Sequence, residues 1–142
     1  MDEREARERF AVGRVARMAS IGPDGAPHLV PIVFALDGDE VLSVVDAKPK
    51  RSPELKRLRN IASDPRVTLL VDEYDEDWQR LWWVRADGQA RVEEEGPVRD
   101  RALELLRAKY EQYRTSWSEP VGAAVVVRVE RWRWWSLAGR QA

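Results

Sequence analysis

Short apolar runs cut by tight turns narrow the possible folds of this chain more than any other feature. Val15–Ile21 is followed by the turn cluster Gly22-Pro23-Asp24-Gly25, then by His28–Leu36, then by Asp37-Gly38-Asp39 and Glu40–Val45. Three runs joined by two tight turns predict an antiparallel meander. Pro31 has no N–H to give to a ladder, so it belongs at an edge, a bulge or a ligand-facing gap. Further on, Arg66–Val71 is strand-like, and Trp78–Ala86 and Gln89–Glu95 flank Asp87-Gly88, a strong two-residue hairpin signal. Ala123–Leu137 closes the series, with Val125, Val127 and Val129 alternating against Val126, Arg128 and Glu130. Three helical patterns interrupt the strands, at 1–12, 52–63 and 97–113, and no βαβ rhythm appears. The fold class expected is mainly β: a single domain over 1–142, six or seven antiparallel strands and short inserted helices. A sheet of that size in so short a chain avoids exposed edges most economically as a closed or nearly closed barrel.

Composition removes whole classes of chemistry. The 142 residues contain no cysteine, which excludes disulfides, thiol catalysis and iron–sulfur ligation, and one histidine, which argues against histidine metal clusters and haem. No apolar run approaches the roughly 18 residues that span a bilayer, and the N-terminus MDEREARERF is charged throughout. A cytoplasmic protein with no membrane association is the expectation. Net charge of −1 and a pI near 6.0 leave no general electrostatic footprint for nucleic acid. Seven tryptophans against two phenylalanines are unusual, and Trp82–Trp83, Trp132 and Trp134–Trp135 cluster as core aromatics or as walls of a surface that meets a partner.

Positive charge is concentrated in one place, Val41–Pro65. Val41, Leu42, Val44 and Val45 form a strand-length run, Ser52 reads as an N-cap with Pro53 at the first helical position, and Leu55, Leu58 and Ile61 give the helix an apolar stripe. Lys48, Lys50, Arg51, Lys56, Arg57 and Arg59 place six cations in twelve residues on the entry loop and the opposite face. A basic loop leading into a helix N-terminus suits an anion, because free N–H groups and the macrodipole both favour one. A solvated helix face is the competing reading.

Other chemistry is sparse. His28 follows a turn, a position more often structural than ligating. The acidic run Asp72, Glu73, Asp75, Glu76 and Asp77 lacks EF-hand spacing and reads as a solvated loop. No dinucleotide fingerprint, P-loop or nucleophile elbow is present. A basic anion site without a nucleophile points to a bound cofactor that carries the chemistry.

The order of these elements resembles the pyridoxamine 5′-phosphate oxidase-like split-barrel family, especially its deazaflavin (coenzyme F420)-dependent branch, from Phe10 to Leu137. Leu42–Asp46 is similar to the family strand that ends in a small polar residue. Lys56–Arg57 falls where the family's phosphate-binding pair is expected, and Asp64-Pro65-Arg66-Val67 supplies the Asp-Pro and the next strand. Lys48–Arg51 resembles an added basic segment of one deazaflavin subgroup. Leu29–Val33 matches the strand that flanks the ring. Asp46 stands where the family often has Ser or Thr, and it would repel a phosphate if it pointed inward. The C-terminal WRWWSLAGRQA lacks the recognisable pyridoxal-phosphate contacts, which argues against pyridoxamine phosphate as substrate.

The resemblance implies a homodimer with cofactor at the subunit interface, a cofactor of F420 or alternatively FMN, and hydride transfer to an electron-poor small organic acceptor. The chemistry of such a cofactor sets three needs. Lys50, Arg51, Lys56 and Arg57 could bind its phosphate. Val30, Pro31 and Ile32, closed by Trp82 or Trp83, could hold its flat ring, and backbone beside Pro31 could bind its edge. A broad cationic patch suits the acidic tail of F420 better than it suits FMN. A protein of the same fold that binds F420 or flavin without turnover is the alternative.

Overall fold

The computed structural model of the protein describes residues 1–46, 53–115 and 121–138. The elements are α1 (Glu3–Val12), β1 (Ala16–Ile21), β2 (Pro27–Ile32), β3 (Ala35–Asp37), β4 (Glu40–Asp46), α2 (Pro53–Ser63), β5 (Arg66–Glu73), β6 (Trp82–Glu93), α3 (Pro97–Lys109), α4 (Gln112–Thr115) and β7 (Val121–Ser136), with a 3-10 turn at Trp78–Arg80. All seven strands form one antiparallel sheet in the order β2-β1-β5-β6-β7-β4-β3. The outermost strands, β2 and β3, are consecutive in the chain, separated by Val33 and Phe34 alone. Laid flat, seven strands would hold their edges about 29 Å apart. Three residue steps from Ile32 to Ala35 reach about 11 Å at most. The sheet therefore curls until its edges nearly meet, and the unladdered joint at Val33–Phe34 is the split.

This arrangement corrects two sequence expectations. His28–Leu36 is not one strand within a meander; it breaks at Val33–Phe34, and β4 pairs with β3 and β7 rather than with β2. Phe34 is fully buried against Phe10, ring centroids 5.0 Å apart, so burying this side chain outweighs continuing the ladder. Asp87-Gly88 is likewise not a hairpin turn. β6 runs unbroken through it, and the register against β7 shifts there, from Asp87↔Arg131 to Gly88↔Val129. Glu130 is the extra residue of a β-bulge. The bulge reverses the alternation of β7, so Val125, Val127 and Val129 before it and Trp132 after it all reach the same core. Gly88 is needed because a Cβ there would lie 2.1 Å from the Arg128 carbonyl oxygen.

Helices cover what the curled sheet leaves open. α1 begins at Asp2, whose side chain accepts a hydrogen bond from the Glu5 N–H at 2.8 Å, and buries Ala6 and Phe10. Phe10 meets Trp132 edge-on with centroids 5.1 Å apart. Trp134 Nε1 donates to the Met1 carbonyl at 3.1 Å, and Arg9 lies over Trp82. Val12 is 73% exposed, because two residues beyond Phe10 the helix has turned to its opposite face. α3 packs Ala102 on the outer face of β4 and β7, against Leu42, Ala124 and Val126.

The helix expected over 97–113 instead ends at Lys109, where Tyr110 turns extended. The Tyr110 hydroxyl donates to the Arg14 carbonyl at 2.8 Å and accepts from the Phe34 N–H at 3.3 Å, which pins the barrel's split. Lys109 Nζ donates to the Phe34 carbonyl at 3.0 Å and sits 3.8 Å from that ring's centroid. Burial, and then the Arg14 cation, bring its pKa down to about 8. The acidic run folds onto itself: Asp75 accepts from the Asp77 N–H at 2.7 Å, and Asp77 from the Gln79 N–H at 3.1 Å. Among the described residues no helix is long and apolar enough to cross a membrane.

Two outcomes follow from this packing. Gly88→Val should destabilise the fold by about 2 kcal/mol or more in urea denaturation, and a loss under about 0.5 kcal/mol would count against the close β6–β7 approach. The unfolded chain holds the Lys109 proton up to its ordinary value near 10.5, whereas the folded chain releases it near 8. Stability should therefore rise with pH from about 8 to 10 and then level off, as Tyr110, raised by burial, adds the opposite slope. Lys109→Met should flatten that rise, which parallel denaturation series at pH 7.5 and 9.5 would measure.

Candidate functional site

The site is built where α2 crosses the end of β1 and β2. Ile61 is buried in the barrel core, and this fixes which face of α2 turns inward. On that helix Asn60 is 1% exposed, and its Nδ2 donates at 3.3 Å to the hydroxyl of Ser20, itself 2% exposed, on β1. A buried amide needs such a partner, so this bond sets the helix's position against the strand. The β1–β2 register places His28 opposite Ser20. Lys56 and Arg57 lie four and three residues before Asn60, one helical turn away on the same side. Side chains from three elements, His28, Ser20, Asn60, Arg57 and Lys56, thus share one corner.

The electrostatics of that corner favour an anion. Arg57 is only 5% exposed, whereas Lys56 is exposed. The two cations act on His28: burial first, then Lys56, then Arg57, hold the imidazole below its ordinary pKa. Its Nδ1 is buried and has no hydrogen-bond partner among the described residues. Arg66, nearby on β5, is committed to Asp64 by paired bonds of 3.0 and 2.7 Å, which hold that carboxyl down at about 2. Two cations beside a neutral imidazole with an unsatisfied buried nitrogen suit a phosphate or a comparable oxyanion.

The other expected site residues are distributed as follows. Lys50 and Arg51 lie outside the described residues, as does the side chain of Asp46; its backbone ends β4 opposite Val121, just past a register shift. Val30 and Ile32 face inward, Ile32 at 7% exposure, so only Pro31 of the three faces outward, beside Arg17 and near the exposed Leu29. Trp83 lies on that outer face opposite Trp135, while Trp82 faces α1 and donates from Nε1 to Glu73 at 3.1 Å. Both tryptophans sit five or six residues along β6 from the level of Ser20 and Gly88. That is about 16–20 Å of strand, so within one chain they do not close over Lys56 and Arg57.

Sequence reasoning passed over His28. The turn after Ile21 brings Pro27 opposite Ile21 and so His28 opposite Ser20, a register the turn residues carry, but the approach of α2 is set by the distant Asn60. Two clefts lie away from this corner, one of about 360 Å³ beside Arg9, Val12, Val15 and Trp82, and one of about 440 Å³ at the bulge beside Gln89, Arg128 and Glu130.

Comparison with known proteins bears on the family of the whole domain. Over 57 residues, 40% of this chain, the sequence is 32% identical to a 5a,11a-dehydrotetracycline/5a,11a-dehydrooxytetracycline reductase of Streptomyces rimosus; the match spans 39% of that protein. The fold is similar to the conserved hypothetical protein Rv2991 of Mycobacterium tuberculosis, with a TM-score of 0.76 and 25% identity, covering 96% of this chain and 85% of the other. It is also similar to a heme binding protein of Mycobacterium smegmatis, with a TM-score of 0.66 and 25% identity over 92% of this chain, about half (52%) of that one. A sequence model of the family described as pyridoxamine 5′-phosphate oxidase matches residues 3–136, nearly the whole domain. With the curled seven-stranded sheet, that match makes this chain a member of the pyridoxamine 5′-phosphate oxidase family.

Proposed function

We propose that the protein is an oxidoreductase that binds a phosphate-bearing redox cofactor at the β1–β2–α2 corner and reduces an electron-poor small organic acceptor. The observation that carries this reading is the convergence of Lys56, Arg57 and His28 on the buried Ser20–Asn60 bond. Family membership and the partial similarity to a reductase support it. Coenzyme F420 is the cofactor we favour, with FMN as the alternative. Exposed Arg59 extends the cationic surface beyond Lys56, as the acidic tail of F420 requires, and the Lys48–Arg51 segment adds to it in sequence.

Each residue has a distinct task in this reading. Lys56 meets the phosphate from solvent, while Arg57, held in place by burial, fixes its orientation. Bound cofactor would supply a hydride, two electrons and a proton nucleus, to the acceptor. This chain positions the reactants, offers the exposed apolar residues Leu29 and Pro31 on the outer sheet face, and leaves the balancing proton to solvent. Because Trp82 and Trp83 stand about 16–20 Å along β6 from the level of Ser20, the wall over the ring comes from a second copy in this reading. A homodimer with two sites between its subunits, in the cytoplasm, is therefore part of the proposal. A protein that binds the same cofactor without turnover would share every one of these features.

Tryptophan quenching titrations with F420 and FMN test the reading directly, and turnover of a reduced cofactor with added acceptors separates enzyme from carrier. Lys56→Ala should weaken affinity about tenfold with the fold unchanged, and Arg57→Lys, which keeps the buried charge but loses the guanidinium fork, should weaken it by a similar factor. Unchanged affinity in both variants would move the site elsewhere. Light scattering should give twice the chain mass.

A further inference from the structure

We propose that His28 is the third, proton-linked member of this anion site: it takes up a proton when a phosphate-bearing ligand binds beside Lys56 and Arg57. The inference rests on the reading of the corner as a phosphate site and adds to it how that site responds to pH. The geometry comes first. The β1–β2 ladder holds His28 opposite Ser20, and the Ser20–Asn60 bond holds α2 so that its cations bear on the imidazole. The ring's Nδ1 is buried without a hydrogen-bond partner among the described residues. An orphaned ring nitrogen beside two cations is costly in a resting protein and useful in a liganded one.

The charge balance gives the direction. Without ligand, Lys56 and Arg57 on α2 face His28 across the corner, while its β1 neighbour Ser20 and the helix residue Asn60 are neutral. A third positive charge is disfavoured there, so the imidazole stays neutral at pH 7. A phosphate set between the cations cancels their repulsion, and the imidazolium beside them then adds a third favourable charge. The proton comes from solvent, and no bond of the ligand is made or broken. One site thus binds a phosphate more tightly as pH falls through the imidazole range, which a lysine–arginine pair alone cannot do.

His28 is the chain's single histidine, so in the untagged protein its ring gives one assignable set of NMR signals. The ring should titrate below its ordinary midpoint in the free protein, and saturating F420, FMN or inorganic phosphate should raise that midpoint by about one pH unit or more. Calorimetry in buffers of different ionisation enthalpy should show net proton uptake near pH 7. His28→Asn keeps a nitrogen close to the Nδ1 position but cannot titrate. Relative to the wild type it should lose affinity about tenfold more at pH 6 than at pH 8, the ligand's own titration being common to both proteins. Binding with an unmoved His28 midpoint would overturn this inference and leave the phosphate site standing. A wild-type protein that binds none of the three probes would overturn both.

Discussion

The fold depends on one close approach between β6 and β7. These are the longest strands, and together they form the spine on which both halves of the sheet are hung. Their pairing would fail if β7 alternated strictly, because its valines and Trp132 lie an odd number of residues apart. The extra residue Glu130 resolves the mismatch, and Gly88 gives the Arg128 carbonyl room to do so. From this follow a core lined on one side by β7 and a Trp132 turned in to receive Phe10 of α1. The split of the barrel then lies at the far side of the sheet, where Tyr110 bridges Arg14 and Phe34.

Much of this was legible in the sequence, and the failures share a cause. An antiparallel sheet of six or seven strands, three inserted helices and the inward turn of Leu58 and Ile61 on α2 all follow from local patterns. Asp87-Gly88 misleads because a hairpin turn and a bulge both call for a residue without a Cβ, and only the partner strand decides between them. His28–Leu36 misleads because Phe34 gains more from the α1 packing than from the ladder. In both cases a distant element overrules a correct local preference.

The candidate site divides in the same way. Lys56 and Arg57 stand out as charge, and the proposed function gives them the phosphate. What the sequence does not show is that one of them is buried and one exposed, a difference created by the barrel end against which α2 lies. The strand Leu29–Val33 reads as one apolar surface, yet the pleat sends Val30 and Ile32 to the core and Pro31 outward. His28 belongs to the inward set, and it matters because the core ends at its level and the cations begin. The tryptophan-rich strands, in turn, largely anchor α1 within the chain.

Pro31 shares its strand phase with Leu29 and Pro27, so these three residues direct their backbone groups to the same side of β2. A regular antiparallel register with β1 is compatible with proline only where the N–H would point away from the partner. The free margin of the sheet therefore presents a single donor, that of Leu29, where an all-hydrogen-bonding strand would present three. An incoming strand from another molecule meets three carbonyl acceptors but one donor, too few for a regular ladder, so this margin of the curled sheet resists edge-to-edge pairing. A contact between two copies would therefore use a face of the sheet rather than this margin.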